Sequence, residues 1–220
     1  MTSPEREALL PRILILHQWK AERGLYGADR VLVRMVREMT SMAHPLVVVE
    51  SEGELPDALR ELGCEVLVRP MGVLRRKQMN PVGLLRSAWQ IAMASLWMAG
   101  EIRRQDIRLV ITCTVAVIPG AFAAALARRP HLWFVEEVLG GRDAALSLLV
   151  SALSTRVVAV SEASARSVHR ERNWAKRKTQ VAYPGVEARP PGPATGGGIR
   201  QEFGVPKEEI LIGMVGRLHY

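Results

Sequence analysis

At 220 residues the chain can hold one full domain and the beginning of a second. Its 48% hydrophobic and 24% charged residues are ordinary for a soluble globular protein, and its two cysteines, Cys64 and Cys113, form no C-x-x-C pair, which argues against a zinc or redox motif. The net charge of +8 favours acidic partners (phosphates, nucleic acid, an anionic membrane face) or else marks a generally basic surface.

The opening segment MTSPEREALLPR carries acids and no apolar run, so residues 1–11 read as an extension and not as a signal peptide. Arg12 to His17 (RILILH) is the first strand, followed by a loop and a helix over Ala28 to Ser41. Pro45 to Glu50 (PLVVVE) is the second strand, and Leu55 to Leu62 a short helix closed by Gly63. Glu65 to Arg69 (EVLVR) is the third. A basic loop, Arg75-Arg76-Lys77, leads into a long helix from Pro81 to Arg104.

That helix contains Arg86, Gln90 and two serines, too polar for a span of roughly twenty apolar residues. It reads as packed on a sheet, with Arg86, Trp89 and Trp97 either turned to a membrane surface or buried in the core. Then come a strand over Arg108 to Thr112 and a helix over Pro119 to Ala127, its proline suited to a first turn. His131 to Val135 (HLWFV) is the fifth strand, and Asp143 is placed to cap a helix ending at Leu153. Arg156 to Val160 is the sixth, Ser161 caps a helix from Glu162 to about Arg172, and Gln180 to Tyr183 is the seventh.

Solid β-branched runs alternating with helices predict an α/β domain: a Rossmann-like parallel sheet of about seven strands with helices on both faces, over residues 12–183. Residues 184–200 are rich in proline and glycine and read as a linker. Residues 201–220, with an apolar run from Ile210 to Gly216, read as the first strand of another domain.

Ligands of such sheets bind beyond the carboxyl ends of the strands. Gly24 to Gly27 lies after the first strand and before a helix, where free N–H groups favour a phosphate, although Gly27 is equally a turn glycine. The dinucleotide fingerprint G-x-G-x-x-G is absent, which disfavours nicotinamide. Glu136 and Glu137 follow the fifth strand, and such a pair binds sugar hydroxyls or works as acid and base, or is an exposed loop pair. Thr112 ends the fourth strand, and Ser161 and Glu162 follow the sixth; Ser161 is first of all a helix cap. Arg217, after Gly216, is placed to clamp a diphosphate. No Ser-His-Asp spacing, P-loop or metal cluster emerges, and the five histidines are scattered.

Four segments together resemble glycosyltransferase family 4, retaining nucleotide-sugar enzymes of GT-B type with two facing Rossmann-like domains. Gly27-Ala28-Asp29-Arg30-Val31-Leu32 is similar to the family's Gly-Gly-Ala-Glu-Arg-Val-Leu, with Tyr26 at the first glycine and Asp29 for Glu. Val157 to Glu162 resembles its strand-then-Ser-Glu segment, and Val181 to Glu187 its Asn-Gly-Val-Asp segment, with Pro184 for asparagine. Gly213 to Leu218 resembles the opening strand of the second domain.

The resemblance implies a first domain that binds a glycan or lipid-linked acceptor and a second that binds a nucleotide-diphosphate sugar as co-substrate. No metal and no other cofactor is expected, because N–H groups and basic side chains stabilise the leaving diphosphate. Gly27, Gly216 and Arg217 would contact that diphosphate. Glu137 would be the catalytic carboxylate, preferred to Glu136, and Glu136, Thr112, Ser161 and Glu162 would lie on the acceptor side. The slot where relatives often carry a histidine near the transferred sugar holds Phe134.

The rest of the donor site would lie beyond Tyr220, so this chain is expected to be inactive alone. The expected location is cytoplasmic, with peripheral contact at an anionic inner membrane face as in envelope polysaccharide synthesis. Nucleic acid is not an expected partner, since the basic residues are spread without interleaved aromatics. The alternative reading is a non-catalytic, truncated binding module.

Overall fold

The computed structural model of the chain describes residues 10–19, 21, 24–73, 81–185, 198–206 and 208–212. The chain divides into two units, Met1–Pro184 and Gly185–Tyr220.

In the first unit the elements alternate as expected. Strand β1 (Arg12–His17) precedes helix α1 (Gly27–Met39), β2 (His44–Val49), α2 (Glu54–Glu61), β3 (Glu65–Val68) and the long α3 (Pro81–Arg104). There follow β4 (Leu109–Cys113), α4 (Pro119–Ala127), β5 (His131–Val135), α5 (Ala144–Leu153), β6 (Arg156–Ala159), α6 (Glu162–His169), α7 (Asn173–Lys176) and β7 (Thr179–Val181). All seven strands form one parallel sheet in the order β3-β2-β1-β4-β5-β6-β7. The first six have the doubly wound order in which the winding reverses between β1 and β4.

The inner strands β1, β2 and β4 are mostly apolar because both their faces are covered, whereas the edge strands β3 and β7 are more exposed. Ile13, Ile15, Val47, Val49 and Ile111 face α1 and α2, meeting Leu32, Val36, Leu55 and Leu59. Leu14, Leu16, Leu46, Val48 and Val110 face the other way, onto Met98 and Ile102 of α3 and Ala123 and Ala124 of α4. Burying one such side chain is worth about 1.5–3 kcal/mol. A third cluster joins Trp133, Val135 and Val157 to Val150 of α5 and Val168 of α6. Cys64 and Cys113 are free buried thiols.

Helix α4 lies so close to the sheet that a Cβ on Gly120 would collide with the side chains of Leu16 and Thr112. Gly120→Val is therefore expected to cost about 1–3 kcal/mol by overpacking, at about 2–4 °C of Tm per kcal/mol for a chain of this size. Differential scanning calorimetry checks this, and an unchanged Tm would show that α4 can move away.

Several expectations need correcting. Asp143 does not cap α5; its carboxylate turns back to accept from the Gly140 N–H at 3.0 Å, closing a 3-10 turn over Gly141–Asp143. Helix α6 stops at His169 because Arg170 and Glu171 adopt φ of +44° and +60°, which a right-handed helix cannot continue. In the second unit a short helix, α8 (Gly198–Glu202), stands where the linker and a new strand were expected. Ile210, Leu211 and Ile212 are not in a strand. The basic loop Arg75-Arg76-Lys77, residues 186–197 of the linker and Gly213 to Tyr220, with Gly216 and Arg217, lie outside the described residues.

Candidate functional site

The alternation of side chains along β1 and β4 decides what reaches the switch point. On β1, His17 continues the face of Ile13 and Ile15 and points toward α1. It is 3% exposed, and its Nε2 meets Asp29 Oδ1 at 2.7 Å. Asp29 sits in the first turn of α1, where its other oxygen accepts the Tyr26 N–H at 2.8 Å. One carboxylate thus caps the helix and ties it to the central strand. His17 Nδ1 is buried and has no hydrogen-bond partner.

On β4, Cys113 takes the α1 face and Thr112 the opposite one. Thr112 is fully buried against α4, its hydroxyl 2.9 Å from His131 Nε2. The expectation that Thr112 faces an acceptor is thus corrected by one step of register, since neighbouring strand residues point to opposite faces. Burial, with lesser contributions from Glu136 and Glu137, holds the Cys113 thiol far above its usual range, so it stays protonated and is no nucleophile. His131, in a dry site beside Trp133, is pushed down to about 4 and is neutral at physiological pH.

Thr114, just past β4, has φ of +75°, a conformation costly for a β-branched residue. It is held there from three sides. Its N–H donates to Phe134 O at 3.2 Å, its carbonyl accepts from Trp133 Nε1 at 2.9 Å, and its hydroxyl donates to Glu137 Oε1. Glu137 also accepts the Val115 N–H at 3.3 Å and, through Oε2, the Glu136 N–H at 3.2 Å. Both its oxygens are spent on tying the loops after β4 and β5 together.

Glu136 differs. Its carboxylate accepts no hydrogen bond among the described residues and is only partly buried. Burial, then Glu137 and Asp29, raise its pKa above the ordinary carboxyl range, and His17 opposes them. Glu137, expected as the catalytic carboxylate, is thus held as an anchor between two loops, while the neighbouring Glu136 carboxylate has no such bonds among the described residues.

The other expected residues lie around this centre. Gly27 opens α1, exposed, with open space where a side chain would be. Ser161 caps α6 by accepting the Ser164 N–H at 3.1 Å, and Glu162 is exposed in the first turn. Both belong to the end of β6, beside β5. Among the described residues no group of three histidine, cysteine or acidic side chains is placed to hold a metal ion.

Sequence reasoning passed over His17 and Thr114. The signal for His17 was there, an ionisable residue closing an otherwise apolar strand at its carboxyl end. Thr114 carries none, because a left-handed threonine follows from the contacts around it.

A doubly wound sheet with ionisable groups gathered at its switch point defines a Rossmann-like α/β domain. The chain belongs to Glycosyltransferase Family 4, whose model matches residues 26–189. Its fold is similar to that of Anabaena Alr3699/HepE in complex with UDP-glucose, at 20% identity and a TM-score of 0.59, covering 88% of this chain and 50% of that one. It is also similar to the lipopolysaccharide outer core galactosyltransferase WaaB, at 12% and 0.57, covering 84% and 50%. UDP-GlcNAc 2-epimerase from Neisseria meningitidis is a third, at 13% and 0.55, covering 77% and 45%. The chain therefore spans about half the length of these structures. No curated protein sequence matches it closely enough to count as a relative.

Proposed function

We propose that this chain is the acceptor-side part of a retaining glycosyltransferase that moves a sugar from a nucleotide-diphosphate sugar to a glycan or lipid-linked acceptor. The observation that carries the reading is the cluster at the ends of β1, β4 and β5, where Glu136 stands beside the buried His17–Asp29 pair. Family membership supports the reaction class. HepE, solved with UDP-glucose, supports a uridine nucleotide as donor.

In this reading Glu136 receives a hydroxyl of the acceptor or of the transferred sugar, and Glu137 shapes the loop beneath it. Gly27 approaches the diphosphate with backbone N–H groups, and Gly216 and Arg217 remain proposed diphosphate ligands on sequence grounds. Ser161 and Glu162 border the acceptor side. No metal or further cofactor takes part. The test is a glycosyl-transfer assay on a longer protein that continues past Tyr220, with a panel of nucleotide sugars. Transfer is expected from one of them, and none with any donor would favour a binding module.

The location we propose is the cytoplasmic side of a membrane, in peripheral contact. No helix among the described residues is long and apolar enough to cross a bilayer. Yet α3 exposes Leu85, Trp89, Met93 and Leu96 on one face, beside Arg86. Sedimentation with liposomes rich in anionic lipid is expected to pull the protein down at low salt and release it at high salt. Recovery in the supernatant at low salt would remove this proposal.

A further inference from the structure

A second hollow lies two strands away from the switch point. The chain leaving β2 at Glu50 and the chain leaving β3 over Arg69–Val73 face α3 across a cavity of about 650 Å³. That is within the range of small-molecule sites, roughly 300–1,000 Å³. Its floor depends on Gly72, at φ of +68°, where a Cβ would stand 3.0 Å from the Gln90 carbonyl carbon and 3.1 Å from the Ile91 nitrogen. Only glycine lets this loop lie on the helix backbone in that conformation.

The lining is divided by chemistry. Val73, Ala94, Met93, Trp89 and Trp97 make an apolar wall, Arg69 and Arg86 are exposed members of the lining, and Glu50 is its one carboxylate among the described residues, with a partner of its own. Arg69 lies 5.2 Å over the Trp97 ring, which holds the guanidinium at the rim while its N–H groups remain able to donate. Among the described residues Arg86 has no ion-pair partner. The apolar wall then runs on outside the cavity: Leu85, Trp89, Met93 and Leu96 form one stripe along α3, all exposed. At 1.5 Å rise per residue that stripe is about 16 Å long.

Two guanidinium groups against one carboxylate leave the lining net positive, and with the hydrocarbon-lined trough leading from it this fits a molecule with an anionic head and a single long apolar tail. We infer that this cavity binds a single-chain lipid phosphate, its phosphate between Arg69 and Arg86 and its tail along Met93 and Trp89. As the seat of a sugar acceptor this rests on the glycosyltransferase reading; as an amphiphile site it rests on the cavity alone.

The test is calorimetric titration of the 220-residue chain with dodecyl phosphate below its micelle concentration, alongside inorganic phosphate and dodecanol. Saturable one-to-one binding of dodecyl phosphate is expected, at least about tenfold tighter than either half-ligand, because head and tail contributions combine. Arg86→Ala and Met93→Glu, both at exposed positions, are each expected to weaken it about tenfold with the circular dichroism spectrum unchanged. Equal binding of dodecanol would reduce the site to a greasy surface, and equal binding of inorganic phosphate to a simple anion site; either overturns the inference, as do variants that bind like the parent. If dodecyl phosphate fails to bind while the longer protein transfers sugar, this assignment falls and the glycosyltransferase reading stands. Binding without transfer to any lipid phosphate keeps the cavity and removes its acceptor role.

Discussion

Asp29→Ala is expected to cost about 2–4 kcal/mol of stability, from a lost helix cap and a buried group left without its hydrogen-bond partner. His17 is buried, Nδ1 already lacks a partner, and Asp29 supplies the one bond to Nε2. Without it the imidazole would be dry and unsatisfied at both nitrogens, and the Tyr26 N–H at the head of α1 would lose its acceptor too. Urea denaturation measures the loss, and Asp29→Asn, which keeps an acceptor, is expected to lose less. The double variant His17→Ala/Asp29→Ala removes the stranded ring as well. It should be less damaged than the sum of the single variants by at least about 0.5 kcal/mol. Plain additivity would show that the two residues stabilise the fold independently.

Glu136→Gln and Glu137→Gln are expected to behave as opposites. Glu137 accepts hydrogen bonds through both oxygens, so an amide there must point its NH₂ at a donor. The expected cost is about 1–3 kcal/mol near neutral pH. Glu136 has its pKa raised, mainly by burial, so the fold favours its protonated form. Its contribution to stability is complete in acid and is lost as pH rises through its folded value. A permanently neutral glutamine escapes that loss. Glu136→Gln should therefore raise Tm at pH 7.5, with the gain shrinking as pH falls into the carboxyl range; a gain independent of pH would assign it to some other cause. In the longer protein the same substitution should lower sugar transfer about 10²-fold or more if the carboxylate handles a proton or a critical hydroxyl. Undiminished transfer would take Glu136 out of the site.

The fold was largely legible because its signals are local and repeated. RILILH and HLWFV announce buried strands, and Pro119 and Ser161 mark helix starts that the structure keeps. Boundaries slipped where the cause is not local: nothing in the letters of Arg170 and Glu171 says that both turn left-handed and end α6. The site was harder. Adjacent carboxylates look alike in a sequence, and only the hydrogen bonds of Thr114 and Val115 separate an anchor from an available group. Thr112 failed for a related reason, since β4 runs one residue further than its pattern suggested and Cys113 takes the face toward α1.

The place of β1 in the sheet bears on how the molecule assembles. Among the described residues β1 comes first in chain order yet lies inside the sheet, and it finds its neighbour β2 after a short excursion, with Leu16 opposite Val48. Its other neighbour is nearly a hundred residues away, with Leu16 opposite Thr112. Until that long loop closes, one edge of an intensely apolar strand stays open, and closure of distant parallel pairs is slow. A nascent chain of this design thus carries an aggregation-prone edge until Leu109–Cys113 has been made. The α3 helix, made just before β4, is the element whose early docking on Leu14 and Leu46 would shorten that interval.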